Sequence, residues 1–146
     1  SRPRGINWVS PIVIDNQGTP EVLIQGSDGL SAHDVATGKK RWATPAVRNA
    51  SYASLTAGDG VVYSVSEKFT ALRPGKGETP DVLWQTPKLR ASYCSPIAHD
   101  GRIYVLAGAG VVNCADAKTG DILWSQRLEA GGTYTASPLL ADGKLY

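Results

Sequence analysis

The sequence predicts an all-β protein, a partial β-propeller of four-stranded antiparallel blades, about three and a half of them in 146 residues. Three independent markers recur at one spacing. Trp42, Trp84 and Trp124 lie 42 and 40 residues apart. Ser10-Pro11, Ser95-Pro96 and Ser137-Pro138 form a second series, with Ser54-Leu55 filling the gap at 44 and 41 residues. Asp59-Gly60, Asp100-Gly101 and Asp142-Gly143 form a third, spaced 41 and 42 residues. Antiparallel units repeating at about 40–45 residues are the pattern of propeller blades. WD40-type propellers share that period, so the period alone does not choose a family.

The clearest unit runs from Tyr93 to Arg127. Tyr93 to Ala98 reads as a first strand, followed by Asp100-Gly101, a strong two-residue hairpin signal. Arg102 to Ala107 is β-branched and aromatic, and Gly108-Ala109-Gly110 turns the chain into Val111 to Asp116. Lys118-Thr119-Gly120 is the next turn. Asp121 to Arg127 is the fourth strand, with Ile122 and Trp124 expected on one face by strict alternation. No stretch shows helical periodicity. The blades are bounded at 7–48, 49–90 and 91–131, with a truncated blade at 132–146.

Composition is that of an ordinary globular chain: 42% hydrophobic, 19% charged, net charge +2. The longest basic run is Lys39-Lys40-Arg41, which gives nucleic-acid binding little electrostatic support. No apolar stretch approaches the roughly 20 residues that span a bilayer, so no direct membrane span is expected. The chain has no Met and no signal peptide at its start, and is expected to be a segment of a longer gene product. Cys94 and Cys114 make neither a disulfide framework nor a zinc motif; two half-buried thiols are expected, with a disulfide between them as the alternative.

The outer turns carry a longer motif. Asp34-Val35-Ala36-Thr37-Gly38 followed by Trp42, and Asp116-Ala117-Lys118-Thr119-Gly120 followed by Trp124, share Asp-x-x-Thr-Gly-x-x-x-Trp. Gly38 and Gly120 suit a left-handed position, and Asp34, Thr37, Asp116 and Thr119 can hydrogen-bond the turn backbone. Each Trp is expected to lay its ring against the next blade. The middle blade replaces the tight turn with a longer polar loop, Arg73 to Pro80, before Trp84, and blade one has a longer first hairpin, Asp15 to Pro20.

This motif resembles the pyrroloquinoline-quinone (PQQ) repeat of quinoprotein-type propellers, bacterial proteins that include dehydrogenases and many non-catalytic relatives. The resemblance extends through Trp8-x-Ser10-Pro11-Ile12-Val13, Gly58-Asp59-Gly60-Val61-Val62-Tyr63, and Ser95 to Tyr104. It implies a closed ring of seven or eight blades in the parent protein, completed by further blades of the same chain or by a second copy of it. It also implies a periplasmic or secreted location.

A PQQ-dependent dehydrogenase of this family holds the quinone over an aromatic floor beside Ca²⁺. Calcium takes six to eight converging oxygen ligands. Here Asp28, Asp34, Asp59, Asp100, Asp116 and Asp142 fall mostly in turns, and the adjacent Cys-Cys pair of several such enzymes is absent. No catalytic, cofactor-binding or metal-binding residue is therefore assigned, and no cofactor is expected, PQQ with calcium being the alternative. Gly108-Ala109-Gly110 opens no helix, which excludes a dinucleotide-binding loop.

What remains is a binding surface. Trp8, Tyr52 and Tyr93 each stand two residues before the marker serine, and the fourth blade has Thr135 there with Tyr134 alongside. At the mouth of the channel Trp8, Tyr52, Tyr93 and Tyr134 would meet a partner or ligand; elsewhere they are rim packing. Arg48, Lys88 and Arg90 are expected in solvent between blades; Lys68, Arg73 and Lys76 are expected on a solvated face, with a gathering beside the middle-blade loop as the alternative. The expected function is a non-catalytic scaffold for another protein or a ligand. A fragment of a quinoprotein dehydrogenase completed by further blades is the alternative, and a sensor appended to a signalling protein a third reading.

Overall fold

A computed structural model describes residues 8–48, 52–75, 79–91, 93–129 and 132–146. The expected blade limits at residues 7, 49 and 131 lie outside these ranges, as does Lys76.

Three four-stranded antiparallel sheets follow one another, each wound in chain order. Blade one comprises β1 (Ile12–Asn16), β2 (Thr19–Gly26), β3 (Gly29–Asp34) and β4 (Lys40–Thr44). Blade two comprises β5 (Thr56–Gly58), β6 (Val61–Ser64), β7 (Phe69–Arg73) and β8 (Asp81–Thr86). Blade three comprises β9 (Ile97–His99), β10 (Arg102–Ala107), β11 (Val111–Asp116) and β12 (Ile122–Arg127), and β13 (Leu140–Ala141) pairs with β14 (Lys144–Leu145) beyond it. The first strand of blade three is shorter than the sequence suggests, because residues 93–96 run outside the ladder. No helix among the described residues is long and apolar enough to cross a membrane.

The first hairpin of every unit turns on two residues with positive φ: Gln17-Gly18 (54° and 83°), Asp59-Gly60 (52° and 72°), Asp100-Gly101 (49° and 66°) and Asp142-Gly143 (49° and 68°). This geometry matches the right-handed twist of the paired strands. Blade one's hairpin is therefore not a longer loop. Asn16 pairs with Thr19, so the turn stays tight and the two strands are longer instead.

Each outer strand carries a bulge at the same place. Ala32 pairs with Trp42 and His33 with Lys40, leaving Arg41 over; Leu83 and Leu123 are the extra residues in blades two and three. The bulge immediately before each Trp breaks the two-residue alternation that the sequence suggests for Ile122 and Trp124. All of β12 is in fact exposed.

The core lies between blades. Leu23, Leu30, Ala32 and Trp42 of blade one meet Leu55, Val62 and Leu72 of blade two. Tyr63, Phe69, Ala71 and Leu89 meet Ile103, Val105 and Ala115 of blade three. Cys94, Leu106 and Val112 form a third cluster with Leu128, Tyr134 and Leu145 around them. Flat apolar sheet faces thus cover one another, which is the physical reason the repeat must stack.

The innermost ends are linked by a serine ladder. The Ser10 amide donates to Ser54 Oγ (2.8 Å), the Ser54 amide to Ser95 Oγ (2.9 Å), and the Ser95 amide to Ser137 Oγ (2.9 Å). These amides lie outside the strand ladders, so the hydroxyl of the next blade supplies the acceptor they lack.

Candidate functional site

The outer turns are built as structure. Asp34 Oδ1 accepts the amides of Ala36 (3.1 Å) and Thr37 (2.8 Å) and the Thr37 hydroxyl (2.8 Å). Its other oxygen pairs with Arg41, and that guanidinium, then the Thr37 donors, hold the carboxyl at about 2. Asp116 Oδ1 accepts the amides of Lys118 (2.7 Å) and Thr119 (3.0 Å), while Thr119 Oγ1 accepts the Asp121 amide (3.2 Å). Gly38 and Gly120 take φ of 68° and 76°.

The tryptophans play three different parts. Trp42, 4% exposed, donates Nε1–H to Glu21 Oε2 at 3.1 Å. Trp84 donates to the Ala117 carbonyl of blade three at 3.0 Å and stacks on Phe69 (6.0 Å, 12°). Trp124 remains exposed beside Tyr104, 6.2 Å between centroids.

These positions test the quinone and calcium site that the fold family implies. The motif carboxylates are engaged by their own turns, and Asp59, Asp100 and Asp142 occupy hairpin turns. Among the described residues no group of three His, Cys, Asp or Glu side chains converges as a metal site. The described carboxylates do not converge as a set of calcium ligands.

A different constellation does assemble. Trp8 and Tyr52 lie 6.3 Å apart with planes tilted by 56°, and Tyr52 stacks on Tyr93 at 5.1 Å and 13°. The three rings come from three successive blades and stay 65%, 50% and 44% exposed. Tyr134 does not extend the row: it is half-buried, against the third core cluster, with its ring over Gly110.

Lys68 and Arg73 flank opposite ends of β7 rather than gathering at the loop. Lys68 shares a groove of about 580 Å³ with Arg48 and Glu67 on the end that carries the inter-blade connections. Arg73 lines a second cleft, at the hairpin end, with Asp15 and Asp59.

Sequence reasoning missed a buried polar knot. Glu21, 2% exposed, also accepts Asn16 Nδ2 (3.3 Å) and faces Arg41 Nε at 3.8 Å, and Asn16 reaches the Gly75 carbonyl at 3.1 Å. The Glu beside the apolar run Val22-Leu23-Ile24 was its one signal. Cys94 and Cys114 are free and fully buried, not half-buried; burial pushes the Cys94 thiol up, and its Sγ lies 3.4 Å from the Tyr134 carbonyl.

Comparison with known proteins places this geometry. No curated protein sequence matches the chain. Among solved structures, BamB from Moraxella catarrhalis is similar at 22% identity and TM-score 0.62, over 91% of this chain and 44% of that one. The computationally designed Ika4 protein is similar at 16% and 0.67, over 97% of this chain and 90% of that one. A europium-containing methanol dehydrogenase is similar at 18% and 0.55, over 79% of this chain and 23% of that one. These likenesses establish the propeller fold, and the chain spans less than half the length of the Moraxella protein. The family model described as outer membrane protein assembly factor BamB matches residues 70–146, just over half of the sequence. With its Asp-x-x-Thr-Gly turns and interlocked blades, the chain belongs to that family of PQQ-like repeat propellers.

Proposed function

We propose that this segment is a non-catalytic scaffold that binds another protein through the row Trp8–Tyr52–Tyr93. The exposed row of three neighbouring rings, Tyr52 stacked on Tyr93 and Trp8 tilted against Tyr52, is the observation that carries this reading. Tyr and Trp supply large contact area at low conformational cost and dominate binding hot spots. The description of the matching family as an assembly factor supports a protein partner and a periplasmic location.

The exposed outer strand of blade three, with Leu123 and Trp124, is a second surface for packing. Further blades of a parent protein or a second copy would cover it in the manner of the inter-blade cores. A mass near twice 15.4 kDa in solution is the sign of the second copy.

The test places a photo-crosslinking residue at position 52 or 93 of the protein in its host. One discrete protein adduct is expected, and none from position 100 at the opposite end. The purified partner should then lose roughly 30-fold or more in affinity on Tyr52→Ala with Tyr93→Ala. Equal capture from both ends, or none, overturns the reading. A stoichiometric shift of quinone absorption on adding PQQ and Ca²⁺ would favour the dehydrogenase fragment instead.

A further inference from the structure

Blade one and blade two each break the repeat once, and the two departures meet. Blade one's first hairpin has longer strands than blade two's, and no tight Asp-x-x-Thr-Gly turn follows β7, whose described continuation is Pro74-Gly75. The 3.1 Å bond from Asn16 Nδ2 to the Gly75 carbonyl joins them directly. Between them lies a cleft of about 370 Å³, within the size range of small-molecule sites.

Its walls combine apolar surface with charge of both signs. Val13, 64% exposed, Val61 and Pro74 supply the apolar part. Asp15, Asp59 and Arg73 supply the charges. Asp15 commits Oδ1 to the Gly18 amide at 2.6 Å and retains its second oxygen. Among the described residues the side chains of Asp59 and Arg73 make no hydrogen bond or ion pair, with each other or with a third group. A guanidinium and a carboxylate that share one cleft without closing on each other are both available to a ligand.

We infer that this cleft binds a small zwitterion with an apolar body, the class of the apolar α-amino acids. The ammonium meets Asp59 and the second oxygen of Asp15. The carboxylate meets Arg73, whose planar fork matches it. The apolar body rests on Val13, Val61 and Pro74. A ligand carrying only one sign would meet a like charge on one side, so the mixed lining selects for both. This inference is independent of the aromatic row, which lies at the other end of the blades.

Titration calorimetry of the purified chain with L-leucine, L-phenylalanine, leucinamide and N-acetylleucine tests it. One-to-one binding of at least one of the two free amino acids is expected. Leucinamide, which lacks the anion, and N-acetylleucine, which lacks the cation, should each bind about tenfold more weakly or less. Asp59→Asn and Arg73→Gln should each lower affinity by a similar factor. Both residues are exposed, and Asn is at home in the left-handed conformation of residue 59, so the fold should be kept; an unchanged melting temperature verifies this. Arg73→Lys should recover part of the loss. The absence of binding by both amino acids at millimolar concentration overturns the proposal. So does binding of either single-charge analogue as tightly as the free amino acid, or affinity unmoved by either substitution.

Discussion

The six-membered ring of Trp84 lies so close over Gly120 that a β-carbon at residue 120 would stand 2.7 Å from Cε3 and Cζ3 of the indole. The outer turn of blade three is thus the seat for the tryptophan of blade two. The same glycine also needs its φ of 76°. Two requirements fall on one position.

Substitution separates them. Gly38 has a similar φ, 68°, but open space where its β-carbon would be. Gly38→Ala should cost about 1 kcal/mol, the conformational part alone. Gly120→Ala should cost about 2–4 kcal/mol, since the indole must also move. Urea denaturation of both variants checks the difference, and equal losses would mean that the ring contact contributes nothing.

The serine ladder predicts a small, directional effect. Ser54→Ala removes the acceptor for the Ser10 amide yet leaves the Ser54 amide bonded to Ser95 Oγ. A loss of about 0.5–1.5 kcal/mol is expected. Amide hydrogen exchange should quicken at Ser10 and stay unchanged at Ser54; the opposite pattern would contradict the donor assignment.

Asp34 makes stability depend on pH in acid. Its carboxyl is held at about 2 against an ordinary 3.8, chiefly by Arg41 and then by the Thr37 donors. A depressed value means that the charged form is favoured in the fold. The contribution is therefore complete above 3.8 and lost as pH falls through about 2. Asp34→Asn should flatten the stability curve over that window and leave its shape above pH 5 unchanged. Melting temperatures from pH 2 to 7 for both proteins provide the check.

Both cysteines should resist thiol reagents. They are fully buried, and burial raises the Cys94 thiol, which leaves less reactive thiolate. Labelling at pH 8 should follow unfolding, with both sites reacting together once urea passes the transition. Rapid labelling of Cys94 in the folded protein would show that the third core cluster opens locally.

The architecture was legible because each marker encodes a local necessity. Asp100-Gly101 can turn a hairpin by itself, and Asp116 with Thr119 can bond its own turn. Trp84 and Trp42 recur because each blade must cover the next. Gln17-Gly18 escaped notice because Gln is an uncommon partner for that turn, although Asn16 and Thr19 show that it works the same way. The bulges at Arg41, Leu83 and Leu123 are backbone events with no side-chain signature. The aromatic row was legible only as far as equivalent positions; stacking of Tyr52 on Tyr93, and the departure of Tyr134 toward Gly110, depend on how blades rotate against one another. The cleft was hidden for a like reason. Residues 15 and 73 are distant in the chain, and only packing brings the two irregular segments together.

The serine ladder also has a sense of travel. Every rung passes from an amide in one blade to a hydroxyl in the following blade, so the two ends of the row are chemically unlike: the Ser137 amide at one, the Ser10 hydroxyl at the other. A neighbour that continues the row must arrive in the same order, amide behind and hydroxyl ahead. Two like edges pressed together would set amide donor against amide donor at one end and leave the hydroxyls of the other end without an amide. Any symmetry that closes such arcs into a ring therefore rotates about the channel axis and never flips it.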